Sequence, residues 1–187
     1  QNPNAYVPYQ VRTGDSLLTI ISRYLQPTVT PRQLQTLNGL RNADIIGVGQ
    51  TLLLPREAVR TTQAQARVSH VRCSQPISLR GQPLMTGLSL QENDNIRIPA
   101  NCSVAMTLAD GSVLTVPEGG ELEFQRLRSN PLESAPDVRA LIRGGRVHVS
   151  VNENMGRTAP FQIFTPTVVM GVRGTEFRAA FEPLNHC

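Results

Sequence analysis

A chain of 187 residues with 40% hydrophobic side chains can fill one large domain or two small ones, and with aromatics at 4% and no Trp its cores must be aliphatic. The formal net charge is +4, and all 18 basic residues are Arg. They are scattered singly, which excludes the basic run of a nucleic-acid binder, although a mildly basic surface suits an anionic wall polymer. No stretch approaches the roughly 20 apolar residues of a membrane helix. The chain opens on Gln1 rather than Met, as a cleaved secretory signal would leave it. Cys73, Cys102 and Cys187 form no C-x-x-C pair and share no ligand spacing with His70, His148 or His186, so no structural metal site is expected.

The first unit is expected over residues 1–57. "YQVRTGD" reads as a short strand turning at Gly14. Leu17, Ile20, Ile21 and Tyr24 then recur on one helical face, with Asp15 or Ser16 as the N-cap and Pro27 as the stop. "TPRQLQTLNGL" starts a second helix, with Thr30 as N-cap, Pro31 at the first helical position, Leu34 and Leu37 on its apolar side and Gly39 ending it. "GQTLLLP" closes the unit as a strand. The polar stretch "REAVRTTQAQAR" has no apolar period and predicts a linker over 58–66, with a short helix as the alternative.

Residues 67–187 read as mainly strand. Val104, Met106 and Leu108 alternate before Asp110-Gly111, and Leu114 and Val116 alternate after it, predicting a hairpin with a type I′ turn. Leu122 and Phe124 alternate against Glu121, Glu123 and Gln125, and Val147, Val149 and Val151 against His148, Ser150 and Asn152, which predicts an exposed His148. Turns are expected at Pro117–Gly120, Asn130-Pro131, Gly144-Gly145 and Gly156, and "PDVRALIR" alone as a brief helix. Short strands at this spacing predict a sandwich, barrel or solenoid, and the whole chain an α+β protein.

The chemistry-bearing motifs are few. "TPTVVMGVRGTEFRAAF" is no P-loop, since the chain has no Lys, and no dinucleotide loop, since Gly171 and Gly174 lead into another alternating segment. G-x-S-x-G is absent. Gly171, Arg173 and Gly174 therefore read as a structural corner, with Arg173 paired to buried carboxylates or carbonyls, and Val172 and Phe177 inward; an anion or peptide on Arg173 is the alternative. Glu118, Glu121 and Glu123 with Asp110 could be set out as an acid/base pair, but Glu121 and Glu123 fall on an outward strand phase. No catalytic residue and no cofactor is expected.

Two resemblances sharpen this reading. The stretch from Tyr9 through Ser16-Leu17, the Ile-Ile-Ser-Arg-Tyr helix, Leu-Asn-Gly-Leu and Val48-Gly-Gln-Thr-Leu-Leu-Leu-Pro resembles a LysM module. That family folds as βααβ and binds N-acetylglucosamine chains of peptidoglycan or chitin. The resemblance implies binding residues at Gly14, Asp15, Ser16 and Leu17 and at Asp44, Ile45 and Ile46. Leu18 departs from it where many members carry Trp, and so does "ADIIGVGQ". The segments "LSLQENDNIRI", "ADGSVLTV", "IRGGRVHVSV" and "FQIFTPTVVMGVRGTEFRA" resemble the FecR domain, with Asn93-Asp94 in place of the usual Gly-Asp. Together they imply a non-catalytic bacterial envelope protein, periplasmic or secreted, that binds peptidoglycan and can meet an envelope protein partner. An envelope signalling regulator of the FecR type, or the non-catalytic part of a larger wall hydrolase, are the alternatives. In such an oxidising compartment Cys73 is expected to pair with Cys102, with Cys102–Cys187 as the rival.

Overall fold

The structure is a computed structural model and describes residues 4–152, 159–166, 169–171 and 176–181. It divides into two compact units, Gln1–Thr61 with Asn130–Leu132, and Thr62–Ser129 with Glu133–Cys187.

The first unit is βααβ. Strands β1 (Tyr6–Gln10) and β2 (Thr51–Pro55) pair antiparallel, with Val7 opposite Leu54 and Tyr9 opposite Leu52. All four of those side chains are buried. Helix α1 (Leu17–Tyr24) starts from a capping box in which the Ser16 hydroxyl accepts from the Thr19 N–H and Thr19 Oγ1 accepts from the Ser16 N–H at 2.8 Å. Ser16 is thus the cap, not Asp15. Helix α2 (Pro31–Leu37) repeats the device with Thr30 and Gln33, and Pro31 occupies its first turn. Leu17, Ile20, Ile21 and Leu34 fill the space between the helices and the two-stranded sheet. With so few aromatic rings this core rests on aliphatic burial, worth roughly 1.5–3 kcal/mol per buried Leu or Ile.

The segment expected as a linker is partly built into this unit. Arg56–Ala58 make a 3-10 turn, and Val59 is buried and bridged to Leu25. Arg56, 6% exposed, donates from Nε to the Asn4 carbonyl at 2.7 Å. One apolar residue in a polar run is enough to anchor a segment when a core lies beside it, and a periodicity search does not register a single residue.

The second unit holds an eleven-stranded sheet that curls into a half-barrel. Its strands are β3 (Thr62–Gln63), β4 (Ala66–Arg72), β7 (Ser89–Leu90), β8 (Asn95–Arg97), β9 (Ser103–Thr107), β10 (Val113–Val116), β11 (Glu121–Ser129), β12 (Asp137–Ser150), β13 (Phe161–Phe164), β14 (Val169–Gly171) and β15 (Glu176–Phe181). A separate small hairpin joins β5 (Ser78–Leu79) to β6 (Gln82–Pro83). The alternating sets Val104, Met106, Leu114, Val116, Leu122, Phe124, Val147 and Val149 all face one continuous core. Cys73 and Cys102 are joined by a disulfide in this unit, and Cys187 lies outside the described residues.

Three local expectations are corrected. "PDVRALIR" is strand, the first part of β12, because Val138, Ala140 and Ile142 alternate into the core with period two. The Asp110-Gly111 hairpin forms between β9 and β10, but Asp110 keeps a negative φ, so the turn is not type I′. The Gly111 N–H bonds the Leu108 carbonyl at 3.0 Å, the Leu108 N–H bonds the Ser112 carbonyl at 2.8 Å, and Gly111 takes φ +84°, which makes a three-residue loop of a type I turn followed by a left-handed residue. Asp110 is buried and accepts from the Ser112 N–H and hydroxyl, which fixes that choice.

The third correction is the most consequential. Gly144-Gly145 is not a turn; it lies inside β12, where the strand passes from pairing with β11 and β13 to pairing with β10 and β15. Gly145 has φ +70°, and a Cβ there would stand 2.5 Å from the Gly119 carbonyl oxygen. Both the backbone conformation and the contact exclude a side chain. Asn93, where the resemblance shows a departure, likewise takes φ +73°, a left-handed conformation that Asn tolerates. Gly145→Ala is expected to destabilise the second unit by about 1 to 3 kcal/mol or more, read as a lower melting transition, whereas Gly81→Ala, with φ +76° but nothing within 4 Å of its Cβ, is expected to cost less.

Candidate functional site

The two loops that the LysM resemblance marks leave the two-stranded β1–β2 sheet at one end. Gln10 pairs with Thr51 at that end, so the chain leaving β1 and the chain entering β2 start side by side. The Val11 N–H then bonds the Gln50 carbonyl at 2.9 Å, and the Gly49 N–H bonds the Val11 carbonyl at 2.8 Å. Those two bonds set the loop before β2 against the loop before α1.

The loop before α1 is organised by one carboxylate. Asp15 has a side chain only 2% exposed, and it accepts from Tyr9 Oη at 2.6 Å, from the Arg12 N–H at 2.8 Å and from Arg23 Nη1 at 3.3 Å. The Tyr9 and Arg12 hydrogen bonds hold the Asp15 carboxyl below its ordinary range, against its burial. Burial, then the bond to Asp15, pushes the Tyr9 phenol up to about 12. Tyr9 also stacks at a tilt on Tyr24, with ring centroids 5.5 Å apart, and the Arg23 guanidinium sits 5.7 Å from the Tyr24 ring centre. Gly14, at φ +84°, makes the turn that lets Asp15 point back at Arg12.

The loop before β2 is held by side-chain amides. Asn38 donates to the Leu34 and Leu53 carbonyls at 2.9 and 3.0 Å and accepts from the Leu53 N–H at 2.6 Å. Gln50 Oε1 accepts from the Gly47 N–H at 2.9 Å, and Asn42 Oδ1 from the Asp44 N–H at 2.9 Å.

The expected binding residues fall into two groups. The Leu17 side chain is core, 1% exposed, and the Asp15 carboxylate is taken up by its three donors, so either can meet a ligand only through the backbone. Gly14, Ser16, Asp44 and Ile45 are exposed, Ile45 at 71%, while Ile46 is half-buried against the core. The structure adds Leu18 at 66% exposure and Val48 at 69%. Leu18 lines a shallow depression with Thr19, Ser22 and Arg23. Val48 carries no helical or strand phase in the sequence, Tyr9 and Gln50 read only as strand and strand entry, and Asn38 only as the residue before the Gly39 stop.

In the second unit, Asp110 is held by its own turn, Glu118 accepts from the Asn101 N–H at 2.6 Å, Glu121 from Asn95 at 3.3 Å and Glu123 from Arg143 Nε at 2.8 Å. His148 is half-buried rather than exposed, because β10 and β15 flank it on both sides. Gly171 ends β14, paired with Gln162; Val172, Arg173 and Gly174 lie outside the described residues. Among the described residues no group of three or more His, Cys, Asp or Glu is set to hold a metal, and no helix is long and apolar enough to cross a membrane.

The architecture is a small βααβ unit followed by a curled β unit. Residues 9–55 match the family described as LysM domain, and residues 94–183 match the family described as FecR protein. The chain therefore carries a LysM domain followed by a FecR-type domain, both from non-catalytic domain families. No curated protein and no solved structure matches the chain.

The Tyr9–Asp15 pair sets the pH limits of the first unit. The Asp15 carboxyl titrates lower folded than unfolded, so its stabilisation is present above the unfolded value and is lost as pH falls through the folded one. The Tyr9 phenol titrates higher folded, near 12, so its stabilisation is present below about 10 and is lost as pH rises from there toward 12. Tyr9→Phe is expected to remove the alkaline loss and weaken the acid one, checked by melting of the first-unit transition across pH. An unchanged alkaline profile in Tyr9→Phe contradicts the assignment.

Proposed function

We propose that the first unit binds N-acetylglucosamine chains of peptidoglycan or a related polymer, and that the FecR-type unit serves a bacterial cell-envelope protein, periplasmic or secreted, as a scaffold or partner-recognition domain. The mechanism is binding; no bond is made or broken. The observation that carries this reading is the pair of bonds between Val11 and residues 49 and 50, which sets the two loops side by side. Around them are free-standing apolar side chains, Leu18, Ile45 and Val48, able to cover the methyl of an acetamide, and loop amides able to bond its carbonyl. Gly14, Ser16, Asp44, Ile45 and Ile46 contact the sugar in this reading, Leu17 contributes its backbone, and Asp15 positions the loop.

The surface is shallow and has no Trp to stack on a sugar ring, so affinity for a short oligomer is weak and rises with glycan length as more subsites are occupied. A second reading, an envelope signalling regulator, is favoured by the FecR match; it predicts a stoichiometric complex with an envelope protein that survives loss of the glycan loops.

The test is sedimentation of the full chain with purified peptidoglycan. Ile45→Asp places an unpaired charge on an exposed loop position, so it is expected to lower retention about tenfold while leaving the melting curve unchanged. Asp15→Asn is expected to lower retention and the first-unit melting point together, because it loosens the Arg12–Asp15 turn. Full retention of Ile45→Asp contradicts the assignment of the loops.

A further inference from the structure

The arginines of the second unit differ in their partners. On β11 and the first part of β12, Arg126 pairs with Asp137 at 2.6 Å, Arg128 with Glu92, and Arg143 with Glu123. Arg80 meets Asp94 at 3.5 Å. Arg67, Arg72, Arg146 and Arg178 are exposed and, among the described residues, have no ion pair.

Strand register puts these four on one surface. Going across β4, β9, β10, β12 and β15, one row runs His70, Ala105, Thr115, His148, Arg178. Residues paired across a ladder share a face, and neighbours two along the strand rejoin it. Arg67 and Arg72 flank His70 on this face, which resumes after the bulge between Val68 and His70, and Arg146 flanks His148. The opposite face, with Val68, Met106, Leu114 and Val149, is core. Four strand spacings of about 4.8 Å give the row a breadth of about 19 Å. Its floor is of small, half-buried side chains, Ser103, Thr107, Val113 and Ser150 among them. Among the described residues, an acid enters this register only at Glu176, opposite Ser150 at the sheet's end.

We propose that this outer face binds an anionic polysaccharide, one whose uronate or phosphate groups recur along a linear chain. Guanidinium groups pair with carboxylate and phosphate through two parallel N–H donors, and leaving four of them without acids on a face about 19 Å wide favours an extended polyanion over a single ion. Single-stranded nucleic acid fits less well, because it needs aromatic side chains for the bases to stack on, and no Phe, Tyr or Trp stands on the described part of these outward rows. The small-residue floor lets a polymer lie close to the sheet. This function is separate from glycan binding by the first unit and does not depend on it.

The experiment measures binding of the full chain to polygalacturonate, phosphomannan, neutral dextran and single-stranded DNA at about 50 and 200 mM salt, a range over which ionic binding weakens strongly. Binding to one or both anionic polysaccharides, lost at the higher salt and absent for dextran, is expected; which one binds distinguishes carboxylate from phosphate. Arg67→Ala, Arg146→Ala and Arg178→Ala combined are expected to weaken it at least about tenfold, the equivalent of losing one to two charged hydrogen bonds. A control of equal charge, Arg32→Ala, Arg41→Ala and Arg97→Ala combined, is expected to stay within about threefold, and Ile45→Asp to have no effect. Equal weakening by the control, tighter binding of DNA than of either polysaccharide, or no binding at the lower salt overturns the proposal.

Discussion

Strand β12 is the constraint on which the second unit depends. Its 14 residues pair with four strands, β11 and β13 along its first part and β10 and β15 along its second. A straight strand of that length would hold one flat sheet. Gly145 lies at the point where the partners change, because only a residue without Cβ can lie against the Gly119 backbone in a left-handed conformation. Gly120, on the other side of the crossing, is shaped by the same limit: a Cβ there would reach 3.0 Å from the Arg146 carbonyl oxygen. The sheet's change of partners along β12 turns on that crossing.

The first unit reaches its order by other means. It has two short helices and a two-stranded sheet, each marginal alone, and it compensates with local hydrogen bonds. Two capping boxes start the helices, and the Asp15 carboxylate ties together strand, turn and helix through Tyr9, Arg12 and Arg23. A carboxylate satisfied this fully organises a loop without being exposed to a ligand. The division of labour is between residues that hold the loops, Tyr9, Asp15, Asn38 and Gln50, and exposed apolar residues, Leu18 on the first turn of α1 and Ile45 and Val48 in the loop before β2.

Much of this was legible from residue order. Alternation with period two predicted the inward faces of β9, β10, β11 and the second part of β12, and Thr30-Pro31 predicted the start of α2, because those signals are local and unopposed. What was not legible depended on partners distant in sequence. Gly144-Gly145 has the composition of a turn, and only the approach of Gly119 and Gly120 makes it a crossing inside a strand. "PDVRALIR" carries helix-forming residues, and tertiary pairing with β11 and β13 overrides them. The LysM resemblance places Asp15 among the sugar-binding residues, but its hydrogen bond from Tyr9, six residues earlier on β1, has no local signal in the sequence. The arginine face was invisible for the same reason: singly scattered residues become a surface only through strand register.

In the proposed function, recognition by the first unit belongs to the two loops stapled at Val11, with Asp15 as their internal tie. The most direct measurement is an amide chemical-shift titration of the full chain with a chitin oligomer. The account predicts shifts at residues 13–18 and 42–50, with the second unit's amides unmoved. Shifts confined to the second unit, or spread over both units with the loops silent, would contradict it.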